Sequence, residues 1–239
     1  MIMAAGALHR VAVAQGLHAG YGPNVVLRDV SIEVQADRTS VIVGPGGSGK
    51  STLLRLLSRP EEHPENLWIH GELIVMERRR SARMPQRLPL HDDPLRLRLE
   101  ESDPHVDAQS AIETFWACAP EAGRLLIEAL DTPFSELPHR TARLAAFTDT
   151  LSRPDRVFLL DEAEADIDAE ARGWIQQKLG AMRGSRTILA VTHHLEFARA
   201  VADHVVLLVD GVVIESGDVD AFFSGPINER TRDFIRYGS

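Results

Sequence analysis

The sequence predicts an α/β fold in which helices pack on a mostly parallel sheet, with a smaller antiparallel region attached. An apolar stretch at residues 39–43 leads into a glycine-rich loop and then into a helical pattern, as in a strand–loop–helix unit. Short apolar strands and amphipathic helices alternate between residues 141 and 202, which is typical of a parallel sheet. Residues 11–34 instead alternate in polarity around a turn at residues 20–24 and therefore predict two antiparallel strands.

Length and charge limit the possible classes of protein. The chain has 239 residues, which allows one large domain or one domain with a small insertion. Its formal net charge is −9, which argues against a protein that binds nucleic acid through broad electrostatic attraction. No nucleic-acid partner is therefore expected.

Cysteine content and apolar runs bear on location. Cys118 is the only cysteine, so an intrachain disulfide is excluded and a reducing compartment fits. The apolar helical pattern around Trp116 predicts that the Cys118 side chain is buried. Residues 1–10 lack the pattern of a signal peptide, and no apolar run approaches the length of a membrane span. A cytoplasmic location is expected.

The segment after the glycine-rich loop begins with a predicted helix. Residues 51–57 carry its apolar pattern. Two short strands are then predicted at residues 67–69 and 72–76, with Gly71 as the break between them.

The middle of the chain changes character. Residues 77–98 are polar and contain three prolines, whereas residues 107–130 have a helical pattern. We therefore expect residues 87–136 to form a short helical insertion. The rest of the chain, residues 1–86 and 137–239, would form one core.

The second half returns to alternating helices and strands. Helices are predicted at residues 141–151, 168–182 and 195–202, strands at 156–160 and 187–191, and a terminal hairpin at 205–209 and 212–215 around Asp210-Gly211.

The glycine-rich loop carries the strongest functional signal. It fits the phosphate-binding pattern G-x-x-x-x-G-K-[ST], in which backbone N–H groups and a helix N-terminus surround an anion. In this pattern Lys50 reaches the β- and γ-phosphates of a nucleotide and the Ser51 hydroxyl ligates Mg²⁺. A glycine-rich turn without a ligand is the alternative, and the order of strand, loop and helix argues against it. The predicted nucleotide-binding residues are Gly44, Pro45, Gly46, Gly47, Ser48, Gly49, Lys50, Ser51 and Thr52.

Two acids follow the apolar strand at 156–160. Asp161 at the end of a buried strand suits Mg²⁺ coordination, either directly or through water. Glu162 is then expected to polarise the water that attacks the γ-phosphate. Acids at strand ends also serve solubility, but a phosphate loop upstream favours the catalytic interpretation.

Three further residues are candidates for the same site. His193 follows the strand at 187–191, where its ring is expected to donate a hydrogen bond to the γ-phosphate. Gln86, at the start of the expected insertion, is a candidate Mg²⁺ ligand that would relay loss of the ion to that insertion. Tyr21 lies in the first hairpin turn, where an aromatic ring can stack on a purine base.

These residues together resemble the ATP-binding subunits of ABC transporters, and the resemblance covers nearly the whole chain. It implies a P-loop NTPase core of the ABC ATPase type, with an antiparallel β subdomain and a short helical insertion, that uses ATP and Mg²⁺. Residues 34–39, 64–72 and 217–235 look most similar to the ATP-binding subunit of phosphate importers. The motifs are the aromatic loop at Tyr21, Walker A at 44–52, the Q-loop at Gln86, Walker B at 157–161, the catalytic Glu162, the D-loop at Asp168 and the H-loop at His193.

One motif departs from the family pattern. ABC ATPases carry Leu-Ser-Gly-Gly-Gln before Walker B, where this chain has Leu137-Pro138-His139-Arg140-Thr141. Pro138 removes an N–H donor, and two side chains stand where backbone should approach the γ-phosphate held by the opposite subunit. Arg140 would supply positive charge there with a different geometry. The D-loop keeps its final acid, Asp168, but is otherwise altered.

The resemblance implies an ATP-hydrolysing subunit of an import-type ABC transporter on the cytoplasmic face of the membrane. Its partners would be an integral membrane permease and a second ATPase subunit, in a hetero- or homodimer. Because its own signature is altered, we expect either a heterodimer with an ATPase that has an intact signature, or slow turnover. Two other functions stay open. One is a nucleotide-gated clamp or assembly factor that moves no solute, and the other is a binding-only subunit with little hydrolysis.

Overall fold

Two β-sheets organise the fold of the computed structural model, which describes residues 9–58, 64–76, 81–88, 92–102, 105 and 107–238. The strands are β1 (Arg10–Tyr21), β2 (Asn24–Gln35), β3 (Thr39–Val43), β4 (Leu67–Val75), β5 (Ser81–Met84), β6 (Val157–Asp161), β7 (Thr187–Thr192), β8 (His204–Val209) and β9 (Val212–Asp218). The helices are α1 (Lys50–Ser58), α2 (Leu95–Ser102), α3 (Ala108–Phe115), α4 (Pro120–Glu128), α5 (His139–Ser152), α6 (Ala169–Ala181), α7 (Leu195–Val201), α8 (Val219–Ser224) and α9 (Glu229–Tyr237), and Phe134–Glu136 forms a 3₁₀ turn.

The larger sheet has the strand order β5-β6-β7-β3-β8-β9 and is parallel except for the antiparallel pair of β8 and β9. Every residue of β3, β6 and β7 is buried, which explains why these strands are continuous apolar runs in the sequence. Val43 pairs with Thr192, and Asp161 pairs with Val191. The carboxyl ends of three central strands therefore meet at one edge of the sheet.

The smaller sheet is antiparallel, with the order β2-β1-β4. The prediction of two short strands around Gly71 was wrong, because β4 runs through that glycine without a break. Gly71 has φ +100°, and a Cβ there would lie 2.2 Å from the carbonyl oxygen of Gly16. The register between β1 and β4 shifts between Gln15 and His18. Glycine therefore lets β4 continue past an irregular stretch of β1.

Two hydrophobic clusters fill the two sides of the larger sheet. Val41 and Val43 face a cluster shared with the helices of the middle and C-terminal segments, whereas Ile42 faces a cluster shared with α1 and the smaller sheet. In the first cluster the Trp116 ring lies 5.9 Å from the Phe147 ring, centroid to centroid. Helices α2, α3 and α4 therefore share a core with α5. The boundaries of the helical insertion, residues 87–136, remain a prediction.

Several elements differ from the sequence expectations. Strand β5, helix α2 and the C-terminal helices α8 and α9 were not predicted. The prediction that Cys118 is buried was wrong, since its side chain is exposed. Residues 116–118 form the turn after α3, in which Trp116 points into the core and the next two residues face outward. The prediction failed because it continued the helical period of α3 into this turn. The helical period no longer indicates which side chains are buried once the helix has ended.

The expectations about targeting and membrane spans concern different parts of the chain. Residues 1–8 lie outside the described residues, so the absence of a signal peptide remains a prediction. Within the part of the chain that the structure describes, no helix combines the length and the apolar character needed to cross a bilayer.

A buried acid joins the ends of β6 and β7. Glu164 is 1% exposed, and its carboxylate accepts a hydrogen bond from the hydroxyl of the fully buried Thr192. Burial raises the pKa of Glu164, and the hydrogen bond from Thr192 opposes that rise only in part. Arg143 is also buried, and although burial lowers its pKa, the charges of Asp166 and Glu164 oppose that change. The anionic form of Glu164 is therefore expected to cost folding stability.

We expect Glu164→Gln to stabilise the fold at neutral pH by about 1 kcal/mol, because the amide still accepts the Thr192 hydrogen bond without a buried charge. The raised pKa stabilises the folded wild type below the unfolded pKa of about 4.5, and this contribution is lost as pH rises through the folded pKa. The advantage of the variant should therefore grow from pH 5 to pH 8. Urea unfolding across this range measures it, with the exposed Glu128→Gln as control. A difference that is independent of pH would contradict the prediction.

Candidate nucleotide-binding site

The glycine-rich loop connects β3 to α1 and packs closely on two neighbouring strands. A Cβ at Gly44, which has φ +155°, would lie 2.0 Å from the carbonyl oxygen of Leu208. A Cβ at Gly49, with φ +99°, would lie 2.8 Å from the Leu27 side chain. The Ser48 carbonyl accepts a hydrogen bond from the Gly211 N–H at 3.1 Å, in the turn between β8 and β9. Side chains at Gly44 and Gly49 would therefore disrupt the loop.

Lys50 is the first residue of α1 and lies within the loop. Its side chain is buried, and Nζ donates to the carbonyl oxygens of Gly44 at 2.8 Å and Pro45 at 2.9 Å. Burial lowers the pKa of Lys50, whereas the charges of Glu162 and Asp161 raise it. Neutral carbonyls are weaker partners for an ammonium group than a phosphate is, so a nucleotide phosphate can replace them.

The loop also holds an unused donor. Ser48 is buried, and its hydroxyl has no partner among the described residues. The loop backbone and the first turn of α1 also carry N–H groups that have no partner within the helix. A loop with a free hydroxyl, a buried ammonium and a helix N-terminus fits a phosphate group.

The structure brings two of the three predicted magnesium ligands together. The Ser51 hydroxyl donates to Oδ1 of Asp161 at 2.9 Å, although the residues are far apart in the sequence. Hydroxyl and carboxylate oxygens are ligands that Mg²⁺ accepts, and a bound nucleotide supplies further oxygens. These two residues therefore fit the ion. The third predicted ligand, Gln86, contacts Glu162 instead.

Glu162 lies between Gln86 and His193. Its carboxylate accepts a hydrogen bond from Nε2 of Gln86 at 2.7 Å, and its other oxygen lies 3.2 Å from Nδ1 of His193. The Glu162 N–H donates to the Val191 carbonyl at 3.0 Å, so the end of β7 fixes its backbone. Glu162 has φ +49°, an unfavourable region for a non-glycine residue that is often found at functional sites. The sequence predictions for these three side chains therefore converge on one cluster.

Tyr21 and Asp168 lie away from that cluster. Tyr21 ends β1, is partly buried, and its hydroxyl lies 3.5 Å from Nη1 of Arg55 on α1. Asp168 accepts a hydrogen bond from the Ala171 N–H at 2.9 Å and caps the start of α6. Contact of either residue with a nucleotide remains a prediction. Of the other loop residues, Pro45 and Thr52 are partly buried, whereas Gly46 and Gly47 are exposed.

The altered signature forms the start of α5. Helix α5 begins at His139, and Pro138 caps it without a side-chain hydrogen bond. Arg140 donates to carboxylate oxygens of Asp168 at 2.8 Å and Glu170 at 2.9 Å. Its guanidinium also lies 4.5 Å from the centroid of the Trp174 ring. The positive charge that the sequence offered in place of the glycines is therefore neutralised within this chain, by α6.

Sequence reasoning missed one residue that touches the predicted metal ligands. Nη2 of Arg83 lies 3.1 Å from Oδ2 of Asp161. Arg83 belongs to β5, the strand that was not predicted, so no pattern placed it beside β6. The only sequence signal was an arginine three residues before Gln86.

Comparisons with known proteins identify the family. A family profile described as ABC transporter matches residues 27–165, more than half of the chain. The phosphate import ATP-binding protein PstB 2 of Natronomonas pharaonis is 32% identical, and the match covers 92% of this chain and 84% of the relative. The glutamate transport ATP-binding protein GluA of Corynebacterium glutamicum is 25% identical, over 92% of this chain and 96% of the relative.

A solved structure shares the fold. It is described as an ATP binding subunit of an ABC transporter, and it superposes with a TM-score of 0.71 at 20% sequence identity, covering 95% of each chain. The predicted P-loop core with mixed sheets and packed helices is therefore confirmed. The chain belongs to the ABC transporter family as an ATP-binding subunit, a family of ATPases that use ATP with Mg²⁺ and couple its hydrolysis to transport.

Proposed function

We propose that this chain binds and hydrolyses ATP as a subunit of an ABC importer, on the cytoplasmic face of the membrane and beside an integral permease. One observation carries this proposal. The carboxylate of Glu162 is held between Gln86 and His193, at the sheet edge where Ser51 and Asp161 also meet. This combines a candidate base with a candidate metal site at the end of a phosphate loop.

Each residue has a proposed task in that site. Lys50 exchanges the loop carbonyls for the β- and γ-phosphates, and the loop N–H groups hold the same phosphates. Ser51 and Asp161 would hold Mg²⁺, and Gln86 would become a further ligand on leaving Glu162; the ion would supply charge stabilisation to the transferring phosphoryl group. Glu162 takes a proton from the attacking water, and His193 orients this carboxylate and donates to the γ-phosphate.

We further propose that the working unit contains a second ATPase subunit with an intact signature. In a symmetric pair of this chain, both sites would be closed by the stretch Leu137 to Thr141. Pro138, which has no N–H, precedes the first turn of α5, and Arg140 is paired with two acids of its own chain. Because the proline donates no hydrogen bond and the arginine is already paired, a different subunit is proposed to close the site that this chain fills with ATP.

The proposed substrate class is phosphate-like. This proposal rests on the similarity of residues 34–39, 64–72 and 217–235 to phosphate importers and on the relative that is named a phosphate import protein. The relative named for glutamate transport supports the alternative, an amino acid as substrate.

We expect the chain to co-purify from detergent-solubilised membranes with a multi-span permease and a second ATPase. Proteoliposomes containing this complex should take up phosphate, and not glutamate, when ATP is supplied. Recovery with soluble partners alone would contradict the role in transport, and uptake of glutamate would contradict only the substrate class.

Replacing the proposed base should separate binding from hydrolysis. We expect Glu162→Gln to lower hydrolysis of bound ATP by about 100-fold or more, because the amide cannot accept a proton from water. ATP binding should stay within about threefold, since the residues of the loop are unchanged. Single-turnover phosphate release and binding of a fluorescent ATP analogue measure the two effects, with Glu128→Gln as control. Equal rates for variant and wild type would exclude Glu162 as the base.

Restoring the family signature should allow two copies of this chain to close each other's ATP sites. We expect the combined variant Pro138→Ser, His139→Gly, Arg140→Gly and Thr141→Gln to raise the steady-state turnover of the purified chain at least about tenfold, because each site regains backbone donors from the other copy. Arg140→Ala alone removes the ion pairs without restoring the glycines and should give no such gain. A repaired variant that binds ATP normally but turns over at the wild-type rate would refute the explanation.

A further inference from the structure

Arg83 reaches Asp161 because of how β5 pairs with β6. The strands are parallel, and Arg83 lies directly opposite Leu159. Side chains two residues apart on a strand share a face, so Asp161 lies on the same face as Leu159 and Arg83. The resulting ion pair is largely shielded, since the side chain of Asp161 is 4% exposed and that of Arg83 is 28% exposed. Such a pair is stronger than one on an open surface.

Both carboxylate oxygens of Asp161 have a partner. Oδ1 accepts the hydrogen bond of Ser51, and Oδ2 accepts that of Arg83. A cation that enters this site must therefore displace Arg83 or share the carboxylate with it.

Arg83 also lies beside a cavity that could receive its side chain after it leaves Asp161. It lines a cavity of about 440 Å³ between α1, β5 and α5. Asp155 lines the same cavity and offers a second carboxylate, whereas Asp149 is already paired with Arg98 and Arg153. Nε of Arg83 is buried and has no partner among the described residues, so few contacts other than Asp161 hold this side chain in place.

We propose that Arg83 is a resident cation at the metal site, which competes with Mg²⁺ for Asp161 and so sets how strongly Mg²⁺ and ATP promote each other's binding. Without the ion, Arg83 neutralises Asp161, so the phosphates meet less repulsion. When the ion binds, it replaces Arg83 at Asp161. Loss of this ion pair offsets part of the free energy gained by binding Mg²⁺. The proposal rests on the proposed function, because it takes Asp161 as the Mg²⁺ ligand of an ATP site.

The test compares affinity for a fluorescent ATP analogue in excess Mg²⁺ and in EDTA. The measured quantity is the ratio of the dissociation constant in EDTA to that in Mg²⁺. The purified chain is compared with Arg83→Met, Arg83→Gln and the control Arg153→Met. Arg153 lines the same cavity, and its replacement by methionine removes the same charge as replacement of Arg83. Arg153 pairs with Asp149, however, and Asp149 keeps its ion pair with Arg98 in this variant.

We expect both Arg83 variants to raise this ratio about tenfold, since an opposite charge within hydrogen-bonding distance changes a carboxylate's affinity for a cation by at least that factor. The ratio for Arg153→Met should stay within about twofold of the wild-type ratio. A charge that lines the cavity but does not contact Asp161 has a smaller effect on the affinity of that carboxylate for a cation. Circular dichroism identifies a variant that fails to fold, and the other Arg83 variant then decides the result.

A direct measurement of metal binding supplies a second readout. In the presence of ADP, electron paramagnetic resonance of free Mn²⁺ should show half-saturation at a lower concentration for Arg83→Gln than for wild type. An unchanged ratio together with unchanged Mn²⁺ half-saturation would overturn the role of Arg83 while leaving the ATP site intact. If the wild-type chain bound no ATP analogue in either condition, the proposed function would fail and this inference with it.

Discussion

The parallel alignment of β3, β6 and β7 is the constraint on which the site depends. Because their carboxyl ends meet at one edge, the loop after β3 reaches the acid that ends β6, and the Ser51 hydroxyl bonds to Asp161. A shift of β6 by a single residue would turn Asp161 to the opposite face of the sheet and bring Leu160 in its place. The chemistry therefore depends on a register that buried apolar side chains on both faces enforce.

The same alignment explains what the sequence could predict. Strands buried on both faces leave continuous apolar runs, so β3, β6 and β7 were located together with the polar residues at their ends. Strand β5 has four residues, two of them partly exposed, and leaves no such run. Without β5, the contact between Arg83 and Asp161 had no basis. Such a contact depends on which strands become neighbours, and a single sequence does not reveal this order.

Turns limited the predictions in a similar way. Gly71 marks a break in a local pattern, but in the fold it is the point where β4 passes close to Gly16. Cys118 continues an apolar pattern, but it lies in the turn after α3 and faces outward. At Gly71 the chain follows a strand that lies far away in the sequence, whereas at Cys118 the helical period has ended.

The two altered motifs are joined in the folded chain. Arg140, in the changed signature, binds Asp168, the final residue of the D-loop at 163–168 and the acid kept from the family pattern. Glu164, elsewhere in that D-loop, is buried against Thr192. Both residues are thus engaged inside this chain. This agrees with the proposal that a different subunit closes the ATP site.

The turn at Asp210 and Gly211 has a mechanical consequence. The Gly211 N–H bonds to the Ser48 carbonyl, and the Gly211 carbonyl accepts from the Arg28 N–H at 2.8 Å. The phosphate loop, the terminal hairpin and the edge strand β2 are therefore connected in series by main-chain hydrogen bonds, and the Arg28 side chain adds one to the Asp210 carbonyl at 3.0 Å. A displacement of the loop by a nucleotide would pull on both sheets at once. A Cβ at Gly211 would lie 2.1 Å from the Val26 carbonyl oxygen, so a substitution there would disturb this connection, as would lengthening the turn by one residue.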